Sequence, residues 1–393
     1  MFPLLSRRSF LVAISILASA AAAAAASRQS ARSGAPSINP EAFRSAIVID
    51  AATGNVLFED RADVQNPPAS VTKLMTFFLV ESRLKEGTLT LDTPVTVTAE
   101  ASHTGGSRVW LVDKEQITVE DLLYALMVPS ANDAAVALAD HLAGSKAAFV
   151  DLMNVKAKEL GMNHTVFRSP HGLPPDLRQG QEPDLSTARD IATLARKLLA
   201  ETDILKYSST RHRPFKHQNG KVIEMDNHNH LLGSVPGCDG LKTGYYKEAG
   251  FSLASTVQRN GRRIIVVVLG SPSGQGRHPW ELRDTVTTQL IERGFAALPP
   301  AIPTVAPAAA SAVTPGAAQT AAPAAPGEAP APAAVTQPAA PPAQQPAATA
   351  AQTDDAANAL KPVPVGPADQ KAASGADAPA EPTVHVNVRG TKR

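Results

Sequence analysis

Ser70-Val71-Thr72-Lys73 is where this chain first places residue types able to do covalent chemistry at a useful spacing. Residues three apart at a helix start share a face, so the Lys73 amine can reach the Ser70 hydroxyl. A serine hydroxyl attacks poorly until a base takes its proton, and a neutral lysine can be that base. The helix start also offers unpaired backbone N–H groups beside the nucleophile, one of which suits a developing oxyanion. Spacing alone is weak evidence, because Ser82-Arg83-Leu84-Lys85 repeats it. Ser82 falls deep in the same predicted helix, where its N–H is already bonded, and is set aside.

Two further motifs add functional groups. Ser130-Ala131-Asn132 follows Pro129 between two predicted helices. A hydroxyl there can relay a proton to a leaving amine, and the Asn132 amide can orient a peptide-like substrate. The same residues also make ordinary helix caps, and Ser37-Ile38-Asn39 repeats the spacing in the N-terminal arm. Lys242-Thr243-Gly244 lies ahead of a predicted strand. Its cation and hydroxyl can hold a carboxylate, and Gly244 lets a ligand approach the backbone; a solvated turn reads the same way. In Asn227-His228-Asn229-His230 two histidines recur, but no third His or acid stands at a zinc-enzyme spacing, so no metal site is expected.

In combination the motifs are far more specific. S-x-x-K at 70, S-x-N at 130 and K-T-G at 242, in that order, are the active-site set of penicillin-recognising serine enzymes. Asn66 to Thr76, Ser169-Pro170-His171-Gly172-Leu173, Ser186-Thr187-Ala188-Arg189-Asp190 and Asp239 to Gly244 narrow this further. They resemble the low-molecular-mass penicillin-binding proteins, the serine-type D-alanyl-D-alanine carboxypeptidases, over about residues 37–298. The resemblance implies Ser70 as the acylated nucleophile, Lys73 as its base and Ser130 as the proton relay to the departing D-alanine. It further implies that Asn132 holds the peptide, that Lys242 and Thr243 bind the terminal carboxylate, and that the backbone N–H groups of Ser70 and Tyr245 form the oxyanion hole. Lys242, close by in a partly dry cleft, would lower the proton affinity of Lys73, as a lysine base requires. Two departures stand out: Tyr245 where many relatives have His, and Asn227 to His230 where some carry Arg near the carboxylate. The implied substrates are peptidoglycan stem peptides, with β-lactams as covalent inhibitors and no cofactor. A class A β-lactamase is disfavoured, because the only glutamate between Met162 and Pro183 is Glu182, with no Asn four residues on. A D,D-endopeptidase of the same fold and a penicillin sensor that turns nothing over remain as alternatives.

The elements that must position these motifs read as mixed α/β, a transpeptidase-like antiparallel sheet flanked by helices with a helical subdomain. Ala46–Asp50 and Val56–Glu59 predict a hairpin around a Gly-containing turn, and Phe251–Val257 with Ile264–Leu269 a second one around Asn260-Gly261. Between them helices are predicted over Ser70–Leu84, Glu120–Val128, Asn132–Leu142, Lys146–Leu160 and Ser186–Ala200, the last with Ser186 as N-cap; another follows at Glu281–Arg293. Strands at both ends of the region predict one sheet built from both ends, with a helical insert.

Composition bounds the rest. Of 33 prolines, 18 fall from Pro299 onward, while all 17 aromatic residues precede it. A Pro/Ala-rich stretch without aromatics cannot offset its own ordering entropy, so residues 299–393 are expected to be a disordered tail. Within it only Val384–Val388 alternates like a strand. Residues 1–26 have the layout of a secretory signal: Arg7-Arg8, an apolar run from Phe10 to Leu17, and small residues to Ala26. Cleavage before Ser27 would leave a flexible arm, 27–36, and no membrane anchor, and would send the protein to the periplasm by the general or the twin-arginine route. Residues 27–298 hold 30 Lys and Arg against 30 Asp and Glu, a balance that does not suggest nucleic-acid binding. The single Cys238 excludes an internal disulfide. Nothing in the sequence sets an oligomeric state.

Overall fold

A computed structural model describes residues 38–300 of the chain. The signal-like segment, the arm and the Pro/Ala-rich tail, with its Val384–Val388 run, lie outside the described residues.

The order of elements follows the apolar patterning. β1 (Ser45–Asp50) and β2 (Val56–Asp60) form the first hairpin, and a 3₁₀ turn at Ala69–Thr72 leads into α1 (Lys73–Lys85). Next come β3 (Pro94–Thr96), α2 (Ala99–His103), β4 (Gln116–Thr118), α3 (Val119–Met127), α4 (Asn132–Ala143) and α5 (Lys146–Glu159). After a long loop, α6 (Ala188–Glu201) and α7 (Ile204–Ser208) precede a small hairpin, β5 (His212–Lys216) and β6 (Val222–Asp226). The chain closes with β7 (Cys238–Tyr246), β8 (Gly250–Arg259), β9 (Arg262–Ser271) and α8 (Glu281–Ala297).

The main sheet has the order β2-β1-β9-β8-β7, with every neighbouring pair antiparallel. First and last strands of the region therefore share one sheet, as the sequence predicts. Both faces are covered. Side chains alternate along a strand, so Ile265, Val267 and Leu269 of β9 join the core beneath the helical insert. Their neighbours Ile264, Val266 and Val268 pack with Val286, Leu290 and Ile291 of α8 on the opposite face. That double burial explains why β9 reads as an unbroken apolar run. The Asn260-Gly261 turn between β8 and β9 takes positive φ at both residues, as its sequence requires.

Several expectations need correction. Ser70 sits in a 3₁₀ turn ahead of α1 rather than in the first α-helical turn. The N-cap of α6 is Thr187, whose side chain accepts the Asp190 N–H, while the Ser186 hydroxyl bonds to Thr165. Lys242-Thr243-Gly244 lies inside the edge strand β7, not ahead of it. The short pairs β3–β4 and β5–β6 were not legible in the sequence: each is held in place by contacts with distant segments rather than by its own periodicity.

Candidate active site

Three elements converge on Ser70. α1 is fully buried over Lys73–Val80, its first two turns apolar nearly all round apart from Lys73 and Thr76. In the 3₁₀ turn residues i and i+3 eclipse, which aims Lys73 at Ser70. Lys73 Nζ lies 3.0 Å from Ser70 Oγ, donates to Asn132 Oδ1 at 2.6 Å and to the His171 carbonyl at 2.8 Å. Asn132 opens α4 and is itself fixed, its amide donating to the Gly105 carbonyl and its backbone N–H to the Ser107 carbonyl. Two residues earlier, Ser130 is buried with φ at +64°, and its hydroxyl has no hydrogen-bond partner among the described residues. A strained, unsatisfied hydroxyl persists only where the surroundings over-determine it, and such groups gather at functional sites.

β7 forms the facing wall. Lys242 pairs across from Ala254 and Gly244 across from Ser252, so both lie on the sheet face that carries the helical insert. A Cβ on Gly244 would stand 2.5 Å from the Pro68 carbonyl and 3.0 Å from the Ser70 nitrogen. Glycine here is what lets strand and 3₁₀ turn touch backbone to backbone. Lys242 is buried, with Nζ 3.2 Å from the Thr243 carbonyl, and Thr243 is buried beside it. Tyr245 stacks on Phe251 with ring centroids 4.1 Å apart. The structure thus brings Ser70, Lys73, Ser130, Asn132 and the Lys242–Tyr245 segment into one cleft. Burial, then the charge of Lys242, pushes His228 down to about 3, so its ring is neutral at neutral pH.

Sequence reasoning missed the supports. Asp184 is buried and accepts from the Thr72 hydroxyl, from the backbone N–H groups of Arg168 and Ser169, and from the Ser169 hydroxyl. It ties the 3₁₀ turn to the Ser169–Leu173 loop, and burial raises its proton affinity. Gly172, at φ +79°, comes so close to the Ala69 carbonyl that a Cβ would lie 2.0 Å from it. Asp133, directly after Asn132, is buried and accepts from Val109, Leu111 and Ala134 backbone N–H groups. Only the Ser169–Leu173 stretch carried a sequence signal, through the family resemblance. A loop acid such as Asp184 looks like any solvated acid until the fold buries it.

With fold and site described, comparison with known proteins is informative. The architecture is that of penicillin-binding proteins of known structure. Penicillin-Binding Protein D2 from Listeria monocytogenes, solved in its ampicillin-bound form, is 33% identical at a TM-score of 0.57, over 66% of this chain and 99% of that one. D-alanyl-D-alanine carboxypeptidase DacD from Francisella tularensis is 29% identical at a TM-score of 0.59, over 66% and 71%. Among curated proteins, DacF of Bacillus subtilis is 35% identical over 235 residues, 60% of this chain and 59% of that protein. DacC of Escherichia coli is 37% identical over 268 residues, 66% and 62%. The chain belongs to the D-alanyl-D-alanine carboxypeptidase family, peptidase S11, whose model matches residues 31–273. The match spans about three fifths of the length of those two curated relatives.

Proposed function

We propose that this protein is an exported serine D-alanyl-D-alanine carboxypeptidase that removes the terminal D-alanine from peptidoglycan stem pentapeptides through an acyl-enzyme on Ser70. The observation that carries this is the environment of Lys73. A neutral amine has two N–H groups and one lone pair. The Asn132 and His171 oxygens suit the two N–H groups, and the 3.0 Å separation from Ser70 Oγ suits the lone pair as acceptor of the serine proton. Ser70 Oγ attacks the carbonyl carbon of the penultimate D-alanine, and its proton passes to Lys73. The backbone N–H groups of Ser70 and Tyr245 take up the oxyanion. Ser130 hands its hydroxyl proton to the departing amine and takes in its place the one held by Lys73, which is neutral again; Asn132 orients the peptide, and Lys242 with Thr243 holds the terminal carboxylate. The peptide C–N bond breaks, D-alanine leaves, and water then hydrolyses the ester to restore Ser70.

A β-lactam presents the same kind of amide in a ring and acylates the same oxygen. The ampicillin-bound Listeria relative supports this reading. Peptidoglycan lies outside the cytoplasmic membrane, so the substrate fits the signal-like residues 1–26 and a periplasmic mature enzyme. The catalytic domain is assigned to residues 37–298, followed by the tail. No helix of the described residues is long and apolar enough to cross a membrane.

Fluorescent penicillin provides the test. The wild-type protein and Ser82→Ala should be labelled covalently and should release D-alanine from a pentapeptide, whereas Ser70→Ala should do neither. Ser82 donates to the Phe78 carbonyl within α1 and stands away from this chemistry. Label retained by Ser70→Ala would remove the mechanism.

A further inference from the structure

The loop between α2 and β4 presents a side-chain pair that the proposed reaction does not use. Trp110 is 45% exposed, yet its backbone lies at φ +64°, a strained position for a bulky residue. The residues on either side, Val109 and Leu111, are buried, and their N–H groups are both gripped by the buried Asp133. The Val109 carbonyl is held at 2.9 Å by Nε2 of buried His217, whose Nδ1 meets Glu115 at 2.9 Å. The fold therefore spends three buried polar groups on fixing a tryptophan that faces water. Over that ring, at 3.6 Å from its centroid, lies the Arg108 guanidinium. Arg108 has neither an acidic partner nor a hydrogen bond among the described residues. Two acids of the neighbouring structure, Asp133 and Glu115, are engaged elsewhere, by backbone N–H groups and by His217.

We propose that Arg108 and Trp110 form a carboxylate-binding subsite for the acyl side of the substrate, taking an acidic residue of the stem peptide upstream of the scissile bond. This inference rests on the carboxypeptidase reading. Stacking uses the face of a guanidinium and leaves its edge, with the forked N–H donors, open for a bidentate carboxylate. Trp110 fixes the plane of that fork in advance, which lowers the ordering cost of binding. Along the chain the pair also adjoins the segment that holds Asn132. Asn132 bonds to the carbonyls of Gly105 and Ser107, and Arg108 is the next residue. An arginine side chain reaching out from that point covers a distance of about two or three extended substrate residues.

The test uses two peptides ending in Lys-D-Ala-D-Ala and preceded by a γ-linked D-glutamyl residue, its α-carboxyl free in one and amidated in the other. Wild-type kcat/KM should favour the free acid by about fivefold at low salt, chiefly through KM, and the preference should shrink as salt is raised. In Arg108→Gln the ratio should fall to about one; Trp110→Phe should keep the preference and Trp110→Ala should weaken it. A wild-type ratio of one, or a preference that survives Arg108→Gln, overturns the subsite. Equal losses on both peptides in Trp110→Ala, with Arg108→Gln unaffected, would mean that the ring packs on an uncharged part of the peptide, which also overturns it. Release of D-alanine from both peptides at equal rates defeats the subsite alone. If the wild-type protein neither releases D-alanine nor takes the penicillin label, the carboxypeptidase reading fails and the subsite falls with it.

Discussion

His171 serves the site through its main chain, and its ring keeps that main chain in place. The carbonyl takes Lys73 Nζ, and ring Nδ1 accepts the Leu173 N–H at 3.0 Å, which requires a lone pair on Nδ1. Burial holds the proton affinity of the ring well below that of an ordinary histidine. The sign of the pH effect follows. Below about pH 6.5 the unfolded chain takes up a proton at His171 while the folded chain does not. Stability is therefore greatest above that pH and falls as pH drops, by up to about 1.4 kcal/mol per unit for one such group. His228, pushed down in the same sense, adds to the slope. In His171→Asn a side-chain oxygen can still accept the Leu173 N–H but nothing titrates. Thermal melts from pH 7 to pH 5 should show a shallower loss for that variant; a wild-type slope in it would mean that His171 does not titrate as argued.

At the scale of elements the site depends on the contact between β7 and the 3₁₀ turn. Neither element has much freedom there: the turn is held by Asp184 and Gly172, and β7 by continuous pairing with β8 from Gly240 to Tyr246. Gly244→Ala would push a methyl group against the Pro68 carbonyl and the Ser70 and Val71 nitrogens, all of them backbone atoms. Strand or turn must then shift by a few tenths of an ångström or more. A displacement of about 1 Å at a reacting centre costs roughly 100-fold in rate. Penicillin acylation of Gly244→Ala, followed by stopped flow, should slow by about that factor, while the melting temperature falls only modestly because β7 is an edge strand. Wild-type acylation would show that the close approach is not what sets the geometry of Ser70.

For the molecule as a whole, the sheet separates two cores, one under the helical insert and one under α8. From α8 come Val286, Leu290 and Ile291, each essentially inaccessible. Burying such side chains is worth about 1.5–3 kcal/mol apiece, together comparable with the 5–15 kcal/mol that holds a typical domain folded. A chain ending at residue 280 should therefore fail to fold. One ending at residue 300 keeps both cores, and should match the full-length protein in melting temperature and penicillin labelling. A clear loss in the 300-residue form, measured by calorimetry and gel fluorescence, would assign the residues beyond it a part in the fold or the site. Osmotic-shock fractionation of the full-length protein should recover it with soluble periplasmic markers; recovery in the membrane pellet would mean that the first 26 residues stay attached.

Much of this was legible in the sequence because it is governed by neighbours. The Ser70–Lys73 spacing, the Asn260-Gly261 turn and the apolar run of β9 each express a local rule of backbone geometry or burial. Taken together, the three motifs pointed to the family that the comparison confirms. Tertiary structure decided the rest. It made the start of α1 a 3₁₀ turn and carried Lys242-Thr243-Gly244 into an edge strand. It also turned Asp133 and Asp184 from apparently solvated acids into buried braces of the cleft. Arg108 and Trp110 look like ordinary loop residues until Asp133 and His217, 25 and 109 positions from Arg108, are seen to clamp the residues around Trp110. The physical reason is the same in each case: a buried polar group is defined by partners distant in sequence, and residue spacing carries no information about them.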